Sequence, residues 1–140
     1  MTRILTMFFV VFALTLGGFA VGSPAWAAGD AAKGKKVFKK CRACHKLVAG
    51  KKGIGPNLSG LFGRTAGTLK GFKYSKDMKA AGAKGLVWTD EAFVKFMADP
   101  KRYLGGLIGR KKARTRMAFN GLKKAKDRDN LLAYLKQATK

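Results

Sequence analysis

The chain has 140 residues, with 30 Lys or Arg against 7 Asp or Glu, and its formal net charge is +23. This length allows one small domain, and an apolar content of 47% excludes a disordered basic tail. The single histidine, His45, excludes any metal cage or catalytic site that needs two histidines.

The N-terminal 27 residues have the pattern of a targeting segment. Arg3 is their only charged residue, positions 4–21 are almost wholly apolar, and Ala-Trp-Ala stands at 25–27. A basic start, an apolar stretch and an A-x-A site are typical of a secretory signal peptide. The alternative is an uncleaved anchor helix, but the apolar run is near the lower limit for a span and contains glycines. We predict a signal peptide at 1–27 and an exported domain at 28–140 with a net charge of +22, since only Arg3 is lost.

The only two cysteines, Cys41 and Cys44, are followed directly by His45. A thioredoxin-like dithiol would follow a strand, and none is predicted here. A zinc site would need a fourth ligand, and normally a second Cys/His pair, which the chain lacks. The spacing fits a third chemistry, in which both thiols form thioethers to one porphyrin edge and the next imidazole binds the iron. We predict one covalent haem c, held by Cys41 and Cys44, with His45 as an axial iron ligand.

The remaining elements read as short helices joined by long loops, and no segment alternates convincingly as a strand. The first predicted helix covers 31–44 after the cap Asp30, and a loop follows at 46–73. A short helix at 75–81 precedes a helix that is capped by Thr89 and ends at Asp99-Pro100, where a short turn can follow. A basic loop at 104–116 then leads to the last helix, at 127–137. Such elements make a poor core alone, so a flat apolar cofactor at the centre fits this pattern.

Six sequence blocks, in order, resemble the class I cytochromes c. They cover nearly all of 29–140 and read GDAAKGKKVFKKCRACH, GIGPNLSGLFGRTAG, GFKYSKDM, GLVWTDEAFVKFMADPKRYL, TRMAFNGLKK and DNLLAYLK. The resemblance implies an all-α, single-domain fold wrapped around one haem. The loop at 104–115 is longer than in the mitochondrial type, and extra residues precede Trp88; both features are similar to the long form of the soluble bacterial members.

The resemblance also implies the second axial ligand of the iron. No second histidine is present, and the methionines beyond residue 27 are Met78, Met97 and Met117. Met97 lies on an apolar helix face, and Met78 lies in a short lysine-rich helix where a gap-filling role is usual. Met117 stands in Thr-Arg-Met-Ala-Phe, which resembles the ligand loop of the family. A thioether at this position raises the reduction potential.

Residues around the haem follow from the same matches. A ligating imidazole usually donates its other N–H to a carbonyl, and the resemblance implies the Pro56 carbonyl as the acceptor for His45. Arg64, Tyr74 and Trp88 match residues that surround the haem propionates.

Two further matches concern packing. Gly34 and Phe38 correspond to the contact of the first helix with Leu131 and Tyr134 of the last. Phe96 stands where the mitochondrial type usually has Tyr, so a hydroxyl near the methionine would be absent.

A closed iron site predicts an electron carrier. With His45 and Met117 both bound, no coordination position remains for oxygen or a substrate, so the protein should pass single electrons and not act as an enzyme. Two alternatives stay open at this stage: a small haem enzyme or gas sensor with a detachable Met117, and a membrane-anchored carrier or fixed subunit of a complex.

The excess of positive charge predicts the partners. Nucleic acid is not expected, because an exported protein meets no genome and no aromatic residues interleave with a basic run. We expect a periplasmic monomer that meets acidic redox proteins or membrane complexes, such as an oxidase, a cytochrome bc-type complex, a reaction centre or a dehydrogenase. The positions matching a docking face are Lys39, Lys40, Lys101, Arg102, Arg116, Lys123 and Lys124. The basic stretch 110–116 could extend this face or make weak contact with an anionic membrane.

Overall fold

The computed structural model describes residues 29–140, which form five α-helices. Their bounds are α1 Ala31–Phe38, α2 Lys76–Ala83, α3 Asp90–Ala98, α4 Pro100–Ile108 and α5 Ala125–Ala138. In this part of the chain the only β pairing is an isolated bridge between Thr65 and Val87, so the predicted all-α class is confirmed. The predicted signal peptide lies outside the described residues.

Side-chain caps start four of the five helices, because an N-terminal turn leaves backbone N–H groups without partners. In each case the side-chain oxygen of the cap accepts from the N–H three residues later. The pairs are Asp30 with Lys33, Ser75 with Met78, Thr89 with Ala92, and Asp99 with Arg102. The caps predicted at Asp30 and Thr89 are therefore confirmed.

Helix α4 corrects the predicted loop at 104–116, because the first five of those residues are helical. Pro100 occupies the first turn, where its missing N–H is tolerated. Leu104 is fully buried, and this packing outweighs the low helix propensity of the following glycines. The helix ends at Gly109, whose φ of 75° is left-handed.

Helix α1 is shorter than predicted. It ends at Phe38, and the chain continues in tight turns instead of a regular helix as far as Cys44. The N–H of Cys41 donates to the Phe38 carbonyl at 2.8 Å, and the N–H of His45 donates to the Cys41 carbonyl at 2.9 Å. These turns hold the Cys-x-x-Cys-His segment directly after the helix. Helix α5 begins two residues before the predicted start.

Helices α1 and α5 pack closely through a glycine. A Cβ on Gly34 would collide with the Asn130 carbonyl and would lie 2.6 Å from the Tyr134 Cβ. The rings of Phe38 and Tyr134 lie 5.6 Å apart between centroids, and Leu131 is buried beside them. The predicted contact between the first and last helices is present. Within residues 29–140, no helix is both long and apolar enough to cross a membrane.

Candidate functional site

An apolar cavity of about 320 Å³ occupies the centre of the fold. Two chain segments contribute the chemically distinctive side chains of its lining. Cys41, Cys44 and His45 come from the turns after α1, and Met117 comes from the segment between α4 and α5. The rest of the lining is mostly apolar and includes Phe38, Leu61, Phe93, Phe96, Leu131 and Leu135. The structure therefore brings both thiols, the imidazole and a thioether to one apolar space.

The two thiols are held by the turns that follow α1. Both residues are half-buried, and neither forms a disulfide within the described chain. Burial raises the pKa of the Cys41 thiol, and the neighbouring Cys44 acts in the same direction. Burial thus disfavours the thiolate form of Cys41, which is unlike the lowered pKa typical of a redox-active cysteine.

The His45 ring is fixed by a hydrogen bond and by close packing. Its Nδ1 lies 2.8 Å from the Pro56 carbonyl oxygen, so Nδ1–H donates and Nε2 keeps its lone pair for a metal. Burial lowers the pKa of His45, and the hydrogen bond to Pro56 opposes that shift. Gly55 lies against the ring, since a Cβ there would be 2.7 Å from the His45 Cε1.

All three methionines of the described chain, Met78, Met97 and Met117, line the cavity. Met97 is buried in α3 and Met78 is half-buried in α2. Met117 belongs to the segment 115–119, of which every residue lines the cavity. Its carbonyl accepts hydrogen bonds of 3.0 Å from the Thr115 hydroxyl and from the Phe119 N–H. Met117 is therefore presented by a hydrogen-bonded loop, whereas the other two lie on helices.

Arg64, Tyr74 and Trp88 also line the cavity. The Arg64 guanidinium donates to the Ser59 and Asn57 carbonyls at 3.1 Å each, which holds this cation at the wall. Burial raises the pKa of Tyr74, and the positive charge of Arg64 opposes that shift, so these two side chains lie near one another.

Trp88 is buried and packs against Phe96. Their ring centroids are 4.9 Å apart in an edge-to-face arrangement, which is favourable for aromatic pairs. The phenyl ring of Phe96 lines the cavity without a hydroxyl. This part of the wall is therefore wholly apolar apart from the indole N–H.

The donor set fits a haem and does not fit a bare metal ion. Among residues 29–140, no group of three or more His, Cys, Asp or Glu side chains is arranged to hold a metal ion by itself. The apolar lining suits a porphyrin face, two thiols suit its vinyl groups, and Arg64 with Tyr74 offers donors for carboxylates.

The seven predicted docking residues are all exposed, but only two of them, Lys40 and Arg116, line the cavity. Arg102 and Lys123 lie near Asp99. The pKa of Asp99 is lowered, first by the hydrogen bond from the Arg102 N–H and further by the positive charges of Lys123 and Arg102. The set thus includes residues at the cavity and residues around the start of α4.

Sequence reasoning missed two residues near the site. Gly55 was not recognised as a spacer for the His45 ring. Asp77 was not recognised as a buried carboxylate that binds the segment leading to Met117. A signal for Asp77 was present, because it is the only acidic residue between Asp30 and Asp90.

Comparison with known proteins gives consistent matches. A family model described as "Cytochrome c" matches residues 31–139. Cytochrome c2 of Rhodobacter capsulatus is 43% identical over 136 residues, covering 91% of this chain and 96% of that protein. Cytochrome c2 of Afifella marina is 46% identical over 106 residues, covering 75% of this chain and 79% of that protein. The crystal structure of cytochrome c2 from Rhodobacter sphaeroides superposes with a TM-score of 0.73 at 43% identity, covering 79% of this chain and 97% of that one.

The fold and the cavity define a small all-α protein built around a covalently attached haem. The chain belongs to the cytochrome c family, as a class I member of the bacterial cytochrome c2 type. Its cofactor is haem c, and Cys41 and Cys44 fit the attachment motif. It is a haem-based electron carrier.

Proposed function

We propose that this protein carries single electrons in the periplasm between acidic redox partners of a respiratory or photosynthetic chain, and that it is not an enzyme. The observation that supports this most strongly is the cavity that joins Cys41, Cys44, His45 and Met117. With His45 and Met117 as its two protein ligands, the iron would offer no position for a substrate, and the protein would transfer electrons without moving atoms.

The haem, when bound, supplies the change between Fe(III) and Fe(II). The protein fixes its position and environment. Cys41 and Cys44 tether one edge, His45 offers Nε2 while Pro56 holds Nδ1–H, and Met117 offers its sulfur. Arg64, Tyr74 and Trp88 offer donors to the propionates. The apolar lining excludes water, which limits the reorganisation that accompanies a change of charge.

Export is supported by the sequence pattern at 1–27 and by one comparison. The match to the Rhodobacter capsulatus protein covers 91% of this chain, which is more than 28–140 alone could supply. We propose that 1–27 is a cleaved signal peptide and that the mature monomer is periplasmic. Cell fractionation combined with N-terminal sequencing of the haem protein tests this, and a membrane-bound product that begins at Met1 would contradict it.

Docking is proposed to use Lys39, Lys40, Lys101, Arg102, Arg116, Lys123 and Lys124. These exposed cations would meet acidic surfaces on an oxidase, a cytochrome bc-type complex, a reaction centre or a dehydrogenase. Exposed charges of this kind contribute mainly to encounter and orientation, and each contributes little alone. The basic segment 110–116 would add weak contact with an anionic membrane.

Replacement of Met117 tests the closed iron site. In Met117→Ala the sixth position loses its ligand, so added cyanide should bind the ferric protein at least about 100-fold faster, because displacement of a bound ligand no longer limits the reaction. Met97→Ala is the matched control, because Met97 lines the same cavity from a helix. Stopped-flow absorption measures both rates. Fast cyanide binding in Met97→Ala, with an unchanged rate in Met117→Ala, would overturn the ligand assignment.

A further inference from the structure

Asp77 is a buried carboxylate with all its identified partners in one distant segment. The residue is only 6% exposed, and it lies in the first turn of α2. Its Oδ1 accepts from the Arg110 Nη1 at 3.0 Å, and its Oδ2 accepts from the backbone N–H of Arg114 at 2.6 Å. One carboxylate therefore binds the segment after α4 both through a side chain and through the backbone.

The charges around Asp77 make this contact important for the segment. Residues 110–116 read Arg-Lys-Lys-Ala-Arg-Thr-Arg, and five of these seven side chains are basic. Like charges at this density repel one another. Asp77 is the only acidic residue between Asp30 and Asp90, and within the described chain it is the carboxylate that forms an ion pair with this segment. Asp99 also lies near Lys112 of the segment. Without Asp77, the repulsion would favour extension of the segment into solvent, and the backbone N–H of Arg114 would lose its acceptor.

The same segment leads directly to Met117. Arg114 precedes Met117 by three residues, which span at most about 11 Å of extended chain. On the far side of Met117, the N–H of Leu122 donates to the Met97 carbonyl at 2.7 Å. The loop that presents Met117 is therefore fixed at its end by Leu122 and at its start by Asp77.

A second contact shows how the segment is seated. The N–H of Ala113 donates to the Lys101 carbonyl of α4 at 2.8 Å, and Ala113 is buried. Asp77 adds the link to α2, whose cap Ser75 and residue Met78 line the haem cavity. The two contacts of Asp77 described above, here called the clamp, thus join the cavity wall formed by α2 to the loop that carries Met117.

We propose that Asp77 is a positioning residue for Met117: by clamping 110–114 onto α2, it sets how readily the methionine sulfur leaves the iron. This inference rests on the proposed role of Met117. Asp77 does not line the cavity, so it acts through the loop that carries Met117. Removing a charge-assisted hydrogen bond to a backbone N–H near the ligand loop should favour the open form.

Imidazole binding to the ferric holoprotein measures this opening. At saturating imidazole the observed rate becomes the rate at which Met117 leaves the iron. In Asp77→Asn, which keeps the shape but loses the charge, this limiting rate should rise at least about tenfold, as expected for loss of hydrogen bonds to a charged group. Arg110→Gln should produce a smaller rise, because the Arg114 N–H keeps its acceptor.

Asp90→Asn is the matched control. Asp90 also lies in the first turn of a helix and forms an ion pair between elements, with Lys136 at 2.6 Å, but that pair joins α3 to α5. Its loss should leave the limiting rate within about twofold of the wild type, in keeping with the small contribution of exposed pairs. Denaturant unfolding of each variant shows whether a change in rate merely follows a change in global stability.

The outcomes separate this inference from the ligand assignment. A limiting rate in Asp77→Asn that matches Asp90→Asn, in proteins of equal unfolding free energy, would overturn the positioning role while Met117→Ala still opens the iron. If Asp77→Asn does not yield holoprotein, Arg110→Gln decides, because an unchanged rate there would also reject the clamp. If Met117→Ala leaves the sixth position closed, the proposed function itself is wrong in its ligand.

Discussion

The glycine before Pro56 has a steric role at the axial histidine. A Cβ on Gly55 would lie 2.7 Å from the His45 Cε1, 3.0 Å from its Nδ1 and 3.1 Å from its Nε2. All three distances are shorter than ordinary van der Waals contact, so any larger residue would move the ring. The ring is also held by the hydrogen bond to Pro56. Two consecutive residues thus fix the imidazole, Gly55 by leaving space and Pro56 by accepting a hydrogen bond.

We expect Gly55→Ala to rotate or displace the His45 ring and to weaken its bond to the iron. Loss of an outer partner of a metal-bound histidine typically costs about 10–100-fold in affinity, and the tethered haem would show this as a larger high-spin fraction. Visible absorption and electron paramagnetic resonance of the ferric protein measure that fraction. Gly106→Ala is the control, because a Cβ there meets no atom within 4 Å. Identical spectra for both variants would contradict the steric role of Gly55.

Among the helices, the sequence predicted best those whose starting residues interact with near neighbours in the chain. Asp30 and Thr89 could be identified as caps because their partners lie three residues away. The continuation of α4 past Leu104 depends on burial of that side chain, which no local pattern shows. The role of Asp77 could not be predicted for a similar reason, since its hydrogen-bond partners lie 33 and 37 positions further along the chain.

The cavity shows the same division between local and distant information. Cys41, Cys44 and His45 are adjacent in sequence, so their joint role follows from spacing. Pro56 was inferred from resemblance, and the hydrogen bond from His45 is present. The convergence of three methionines on one cavity is a property of the fold alone, so the choice of Met117 remains a prediction.

The contact between α1 and α5 predicts a clear effect on stability. Gly34→Ala places a methyl group against the Asn130 carbonyl and the Tyr134 side chain, so the helices must separate. Overpacking of this kind typically costs about 1–3 kcal/mol, and denaturant unfolding of the holoprotein measures it. Gly106→Ala, also within a helix, should be neutral or stabilising by up to about 1 kcal/mol. A Gly34→Ala protein as stable as Gly106→Ala would show that the two helices can move apart freely.

The cap of α4 predicts a dependence on pH. The pKa of Asp99 is lowered, chiefly by the hydrogen bond from the Arg102 N–H. The ionised carboxylate therefore stabilises the fold fully at any pH above the ordinary pKa of Asp. This stabilisation is lost as the pH falls through the lowered pKa of the folded protein. Asp99→Asn should therefore be less stable than the wild type at neutral pH, and the difference should vanish in acid. Urea midpoints between neutral pH and about pH 3 test this. A difference that grows on acidification would contradict the assignment.

For the whole molecule, charge is the property that departs furthest from an ordinary small domain. The full chain carries +23, whereas solubility needs a magnitude of only about 2–8. Several of the few acidic residues at 29–140 already form ion pairs within the fold, such as Asp77 with Arg110 and Asp90 with Lys136. Most lysines therefore face solvent without a counter-charge, and the molecule presents a strongly positive field to any acidic surface.

We expect the second-order rate of electron transfer to partner membranes to fall steeply as salt rises, although the haem itself is unchanged. Exposed charges are largely screened beyond about 10 Å at 0.1 M salt, and steering can raise association rates about 10–1,000-fold. Lys40→Glu and Lys124→Glu should slow the reaction more than Lys84→Glu and Lys140→Glu. Burial does not explain such a contrast, because all four lysines are exposed and each substitution changes the net charge equally. Rates measured with purified partner membranes across a salt series decide whether the positive charge serves docking. A flat profile, or equal losses at all four positions, would reject the docking face and leave the charge to solubility or lipid contact.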